Sequence, residues 1–110
     1  MQAGQAIDAL GALAQEHRLQ LFRLLVQAGA DGMAAGELAR AIDIPNSSLS
    51  FHLGHLHRAG LVGQRRVGRS LIYSADYRAM DRLVAYLLEN CCGGEDCAPT
   101  RLRPAEREQA

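Results

Sequence analysis

Apolar residues recur along this chain at intervals of three and four positions, which is the periodicity of amphipathic helices. The pattern predicts five helices, and two strand-like segments before the last helix predict a hairpin that turns at Gly68-Arg69. The predicted helices cover residues 5–14, 16–28, 33–42, about 46–59 and about 77–90, and the predicted strands cover residues 61–67 and 70–74. We expect the following residues to face inward: Ile7, Leu10, Leu13, Leu19, Phe22, Leu25, Val26, Leu38, Ala39, Ile42, Leu49, Leu53, Leu56, Met80, Leu83, Val84 and Leu87.

Helix-breaking residues separate the third and fourth predicted helices by a turn of three residues. Pro45 has no amide hydrogen and restricts the residue before it, so the third helix has to end ahead of it. Asn46 or Ser47 is expected to cap the fourth helix, Gly60 to end it, and Asp76 to cap the last one. Two helices joined by such a turn have the dimensions of a helix-turn-helix motif. The predicted fold class is therefore mainly α with a β-hairpin, a winged helix-turn-helix of order α-α-α-α-β-β-α.

The length of 110 residues fits one domain. We expect one folded winged helix-turn-helix domain over residues 1–90. A tail rich in glycine, proline and charge follows over residues 91–110, and its end is expected to be disordered. The chain has no run of 18 apolar residues and no signal-like N-terminus, so we expect a cytoplasmic protein that does not enter a membrane.

A net charge of zero conceals a basic region. Residues 44–75 contain four arginines and three histidines but no aspartate or glutamate. Because a phosphate backbone responds to local charge rather than to the average, this region predicts a surface for nucleic acid.

The fourth helix and the hairpin supply the candidate DNA contacts. A helical wheel places small polar residues and one aromatic residue opposite the leucines of the fourth helix, where asparagine, serine and phenylalanine can contact base edges. Arginines of the hairpin can bind phosphate or enter the minor groove. The candidates are Asn46, Ser47, Ser50, Phe51 and His55 on the helix and Arg65, Arg66 and Arg69 on the hairpin. The alternatives are helix caps for the serines, a core position for Phe51, and solvated surface for His55 and the arginines. His52 lies at the edge of the apolar stripe and is expected to be a packed core residue.

Three cysteines lie within seven positions, at Cys91, Cys92 and Cys97. Their odd number disfavours a closed disulfide framework, and a reducing cytosol would keep them as thiols. Thiolates select soft ions, and three of them suit a pyramidal As(III) or Sb(III) centre better than zinc, which takes four ligands in structural sites. Gly93-Gly94 allows the chain to fold back toward the cysteine pair. Lead, cadmium, mercury or copper(I) at the same site, a thiol redox switch, and a tail with incidental cysteines remain alternatives.

Four segments carry a resemblance to a known family, namely EHRLQLFRLLVQAG, GELA, SLSFHLGHLHRAGLV and RRVGRSLIYS. Over about residues 9–97 the chain resembles the ArsR family of bacterial metal-responsive repressors. The resemblance implies DNA contacts from Asn46, Ser47, Ser50 and Phe51 and wing contacts from Arg66 and Arg69. It also implies a homodimer packed through the first and last helices.

The segment NCCGGEDC is similar to the C-terminal site of an arsenic-responsive subgroup of that family. The Cys-x-Cys arsenic pair and the last-helix zinc ligands of other members are absent. The sequence thus predicts a repressor that binds double-stranded operator DNA and is released when Cys91, Cys92 and Cys97 capture As(III) or Sb(III). The other interpretations are a redox-responsive repressor and a winged helix used only for protein contact. An enzyme is disfavoured because no nucleophile–base pair or phosphate-binding glycine loop is present.

Overall fold

Five helices pack around a small antiparallel sheet in the computed structural model, which describes residues 1–94. In chain order the elements are α1 (Ala3–Leu13), α2 (Glu16–Ala28), β1 (Met33–Ala34), α3 (Ala35–Ile42), α4 (Asn46–Arg58), β2 (Val62–Val67), β3 (Ser70–Ala75), α5 (Tyr77–Leu87) and a short 3-10 turn, Cys91–Gly94. This architecture confirms the predicted winged helix-turn-helix. Within residues 1–94 no helix is both long and apolar enough to cross a membrane.

The sheet has the strand order β1-β3-β2, so the predicted hairpin gains a third strand. Val67 pairs with Ser70 across a two-residue turn, in which Gly68 has a φ of 61°. A positive φ at the first central residue is the pattern of the type II′ turn, which suits the twist of a hairpin. The prediction of a helix from residue 33 was wrong for its first two residues, because Met33 and Ala34 pair with β3. The paired residues are far apart in the sequence, and a strand of two residues is too short to show a periodic pattern.

A close backbone approach fixes β1 beside β3. Gly32 has a φ of 73°, and a Cβ atom at this position would overlap the carbonyl oxygen of Tyr73. Only glycine fits a left-handed backbone with so little space. The third strand therefore depends on Gly32.

Leucines of α2, α3, α4 and the start of the hairpin form the centre of the core. Those with less than 2% exposure are Leu21, Leu25, Leu38, Leu53, Leu56 and Leu61. In α1 the prediction holds for Leu13, which packs partly buried against the core, but was wrong for Ile7 and Leu10. Its buried residues are Ala6, Ala9 and Ala12, whereas Ile7 is 67% and Leu10 is 42% exposed. Alanines let α1 approach α2 and α4 closely, and this leaves its larger side chains on the outer surface.

Two other helices differ from the prediction in part. In α2, Phe22 and Leu25 are buried as expected, but Leu19 and Val26 are exposed, and Arg18 and Leu21 are buried in their place. In α5, Leu83 is buried but Leu87 is 54% exposed. The Asp76 side chain accepts a hydrogen bond from the Ala79 amide at 3.0 Å, which confirms the predicted cap. The helix ends at Leu87 rather than near residue 90, and Asn90 has a left-handed φ of 59°.

Candidate nucleic-acid interface and cysteine segment

The turn between α3 and α4 orients the candidate recognition helix. Asp43 ends α3 in the left-handed region, with a φ of 55°, a conformation that aspartate tolerates. Pro45 is extended and serves as the N-cap of α4, with no side-chain cap hydrogen bond. The expectation that Asn46 or Ser47 caps the helix was therefore wrong, because α4 begins one residue earlier than a cap at Asn46 would require. Both polar side chains are left exposed at the start of the helix.

The N-terminal half of α4 presents the predicted contact residues to solvent. Asn46, Ser47 and Ser50 are exposed, and Phe51 is 60% exposed, so Phe51 is not a core residue. Leu49, Leu53 and Leu56 hold the opposite side of the helix in the core. A helix that is anchored on one side and presents small polar residues at its start can enter the major groove with those residues at the base edges.

Two arginines of the hairpin, Arg66 and Arg69, are exposed and lie beside the start of α3. Arg66 and Arg69, with Ser70 and Leu71, line a concavity of about 340 Å³ whose other wall is residues 34–36 at the start of α3. Arg65 faces differently: its Nη2 donates a hydrogen bond to the Asp31 carbonyl oxygen at 2.9 Å. Arg65 therefore ties the hairpin to the loop before β1, whereas Arg66 and Arg69 have the position expected of wing residues.

His55 lies away from the start of α4. It is half-buried and lines a concavity of about 470 Å³ with Ile7, Asp8, Arg58 and other residues. Its ring centroid is 6.4 Å from that of Phe51. Burial, with smaller contributions from Arg18 and Arg58, lowers the pKa of His55. The structure thus places His55 against α1 and not among the residues at the N-terminal half of α4.

His52 is a buried core residue, as predicted, with an exposed fraction of 9%. Its Nδ1 lies 3.3 Å from Nη1 of Arg18, which is equally buried. Burial, followed by the charges of Arg18, His17 and His55, lowers the pKa of His52. Arg18 was not among the residues predicted to face inward. It lies four residues before Phe22 and seven before Leu25, both predicted to face inward, and this helical spacing was the signal that could have revealed it.

The cysteine segment begins at Cys91, and three residues separate it from Leu87, the last residue of α5. Cys91 is half-buried, while Cys92 is exposed in a left-handed conformation with a φ of 56°, and Gly93 follows with a φ of 68°. Cys92 is disulfide-bonded in this structure, unlike the thiol expected from the sequence. Cys97 lies outside the described residues, and among residues 1–94 no three His, Cys, Asp or Glu side chains form a cluster suited to a metal. The ligand set of Cys91, Cys92 and Cys97 stays a prediction.

An exposed helix beside a basic hairpin defines a winged-helix module for binding DNA. The family model described as a helix-turn-helix domain matches residues 13–65. The transcriptional activator HlyU of Vibrio cholerae is 33% identical over 85 residues, which are 74% of this chain and 76% of HlyU. A Halobacterium salinarum protein assigned as the repressor ArsR of an arsenical resistance operon is 35% identical over 86 residues, 74% of this chain and 66% of that protein.

A solved structure of reduced HlyU from Vibrio cholerae superposes with a TM-score of 0.63 and 28% identity. The match covers 82% of this chain and 92% of that one. The chain belongs to the ArsR/HlyU family of winged-helix transcriptional regulators. Members of this family bind DNA, and the comparisons indicate a regulator rather than an enzyme.

Proposed function

We propose that this regulator is an arsenite-responsive repressor, which binds operator DNA as a homodimer and releases it when its C-terminal cysteines capture As(III) or Sb(III). The observation that carries the proposal is the cluster of Cys91, Cys92 and Cys97 directly after α5 in a chain with an exposed DNA-reading helix. The relative assigned as the repressor of an arsenical resistance operon supports repression as the direction of regulation. Since the protein acts on genomic DNA, we place it in the cytoplasm.

The proposed homodimer uses the outer apolar sides of the terminal helices. Ile7 and Leu10 of α1 and Leu87 of α5 are exposed, and α1 packs directly on α5. Burying such side chains against a second copy removes apolar surface from water. A two-fold dimer would present two copies of α4 to half-sites about 34 Å apart, the spacing of successive major grooves.

The donor set fits a soft trivalent ion. Cys91 and Cys92 are adjacent, and the left-handed conformations of Cys92 and Gly93 turn the chain directly at and after this pair. Bound As(III) supplies a centre that three thiolates bind at once, so its capture orders the segment that follows α5. A typical coupling free energy of about 1–3 kcal/mol between ligand and DNA corresponds to a roughly 5- to 150-fold loss of DNA affinity.

Fluorescence anisotropy with the DNA upstream of the protein's own gene tests the proposal. Fully reduced protein is titrated onto the labelled fragment, and arsenite or antimonite is then added. We expect release by both ions, and we expect Cys91→Ser, Cys92→Ser and Cys97→Ser each to bind the fragment yet resist release. Glu89→Gln, close to the segment but without a thiol, is the matched control and should respond like the unmodified chain. If reduced protein takes up no arsenite, or if uptake leaves DNA binding unchanged, the proposal is wrong.

A redox-responsive regulator is the second candidate, because Cys92 is disulfide-bonded in this structure and one solved relative carries the name of reduced HlyU. Oxidation of the cysteines, in place of ion capture, would then reorganise the segment after α5. Titrating peroxide and arsenite separately against the same protein–DNA complex distinguishes the two. Release by peroxide alone supports the redox switch, and release by arsenite under full reduction supports the first proposal. Lead, cadmium, mercury and copper(I) are titrated in the same assay.

A further inference from the structure

A buried polar contact ties the recognition helix to the two helices behind it. Nη1 of Arg18, on α2, lies 3.3 Å from Nδ1 of His52, on α4, and both residues are 9% exposed. The Nε of the same guanidinium donates a hydrogen bond to the Ala12 carbonyl oxygen at 2.6 Å, near the end of α1. One side chain therefore joins α1, α2 and α4.

The chemistry of the two groups fixes the protonation state of this contact. A guanidinium only donates hydrogen bonds and stays charged at every relevant pH. The Nδ1 atom of His52 must therefore accept, which requires a neutral ring that carries its hydrogen on Nε2. Within residues 1–94 no carboxylate forms an ion pair with Arg18. Its charge is instead stabilised by the Ala12 carbonyl, at the negative end of the α1 helix dipole.

Protonation of His52 would remove the acceptor and place a second positive charge beside Arg18. The other charged or titratable groups that bear on the ring are also cationic when protonated: His17 of α2, with ring centroids 5.4 Å apart, and His55 of α4. The one acid of α1, Asp8, lines the separate concavity that contains His55 and Arg58. Burial and these cationic neighbours lower the pKa of His52, so the contact persists at neutral pH and fails in acid.

The contact lies directly behind a DNA-reading side chain. Phe51 precedes His52 in α4, and their ring centroids are 5.4 Å apart. We propose that Arg18 is a positioning residue: through the neutral ring of His52 it holds α4, and with it Phe51, in the orientation that reads DNA. The inference rests on the proposed DNA-binding function. It adds a loss of DNA affinity at acid pH, which the cysteine segment does not supply.

Nitrogen NMR of the histidine rings tests the contact without DNA. We expect His52 to carry its hydrogen on Nε2 at pH 7.5, with an unprotonated Nδ1, and to titrate below the ordinary histidine value. A ring hydrogen on Nδ1 at pH 7.5 would overturn the inference, whatever the arsenite experiments show. Conversely, DNA binding that ignores arsenite would overturn the proposed function and leave this contact standing.

DNA affinity between pH 7.5 and pH 5.5 tests the positioning role. At pH 7.5, His52→Leu leaves Nη1 of Arg18 without its acceptor, and this variant should bind DNA about tenfold more weakly. His52→Asn places an amide oxygen where Nδ1 lies, so it should recover most of that affinity and remain insensitive to acid. The unmodified chain should lose affinity relative to His52→Asn as the pH falls through the His52 pKa, by at most about tenfold for each unit by which DNA binding lowers that pKa.

His57→Asn is the matched control, because His57 is an exposed histidine on the same helix. It should keep the acid-dependent loss of the unmodified chain. Thermal unfolding of each variant at both pH values shows whether the protein added to DNA is folded. If folded His52→Asn loses affinity in acid as strongly as the unmodified chain, or if folded His52→Leu binds normally at pH 7.5, Arg18 does not position the helix.

Discussion

The DNA-reading region and the cysteine segment illustrate two ways in which a sequence encodes function. The reading region consists of α3, α4 and the hairpin, where leucines, a proline turn and a glycine contact fix the exposed residues in place. The cysteine segment begins at Cys91, beyond the last helix, and its proposed role follows from the affinity of thiols for soft ions. The DNA-reading function therefore depends on the positions that the fold gives to the exposed residues. The proposed ion-sensing function depends on the chemistry of the cysteine thiols, which the fold only has to keep accessible.

The largest expected effect comes from Gly32→Ala, which disrupts the close contact between the loop before β1 and the hairpin of the reading region. The new Cβ would overlap the Tyr73 carbonyl oxygen, and the φ of 73° is also strained for alanine. We expect a loss of about 2–4 kcal/mol of unfolding free energy, measured by urea denaturation. Gly29→Ala is the control, since Gly29 has a φ of 85° but no atom within 4 Å of the added Cβ. Equal losses in the two variants would show that the close approach to β3 is unimportant.

Removing the two wing arginines should reduce DNA affinity without unfolding the protein. Arg66 and Arg69 are exposed, so the double variant Arg66→Ala/Arg69→Ala should keep its stability. Its affinity should fall roughly 10- to 100-fold, because a hydrogen bond to a charged group contributes about 1.5–3 kcal/mol. The salt slope of binding should drop by about 0.9 for each phosphate that the wing no longer neutralises. Arg23→Ala/Arg78→Ala removes the same charge from α2 and α5, and an equal fall in affinity there would argue against a specific role of the wing.

Phe51→Ala should change which DNA is preferred more than how tightly any DNA binds. The ring is 60% exposed and available to a thymine methyl group. We expect discrimination between the promoter fragment and unrelated DNA to fall by about fivefold to tenfold, near the lower limit of what one base pair contributes. Competition anisotropy measures this ratio. A uniform loss on both DNAs would instead assign Phe51 to general packing or backbone contact.

The sequence predicted the reading region well because its pattern is local. The turn at Pro45, the leucine stripe of α4 and the Gly68-Arg69 hairpin all depend on neighbours in the chain, and all three were confirmed. The predictions that were wrong concern positions that depend on residues far away in the sequence. The outward position of Ile7 cannot be deduced from helical periodicity, because a distant helix decides which side of α1 is covered. The cysteine ligand set was predicted from the chemistry of thiolates alone. It stays a prediction, since Cys97 lies outside the described residues.

The smallest expected effect concerns a hydrogen bond between α5, the helix before the cysteine segment, and α2, which packs on the reading region. Tyr77 opens α5, and its hydroxyl donates a hydrogen bond to the Val26 carbonyl oxygen at 2.9 Å, with the Leu25 carbonyl at 3.5 Å. Carbonyls in the last turn of a helix lack partners within it, so this side chain satisfies the end of α2.

Tyr77→Phe should therefore lower the unfolding free energy by about 1 kcal/mol, measured by urea denaturation. Tyr86→Phe is the control, because Tyr86 lies on the same helix and its hydroxyl has no hydrogen-bond partner within residues 1–94. If α5 transmits capture of arsenite to the reading region through α2, Tyr77→Phe should also weaken the release of DNA by arsenite, while Tyr86→Phe should not. A loss of stability with unchanged release would show that the two regions communicate by another route, with the proposed dimer interface of α1 and α5 as the next one to test.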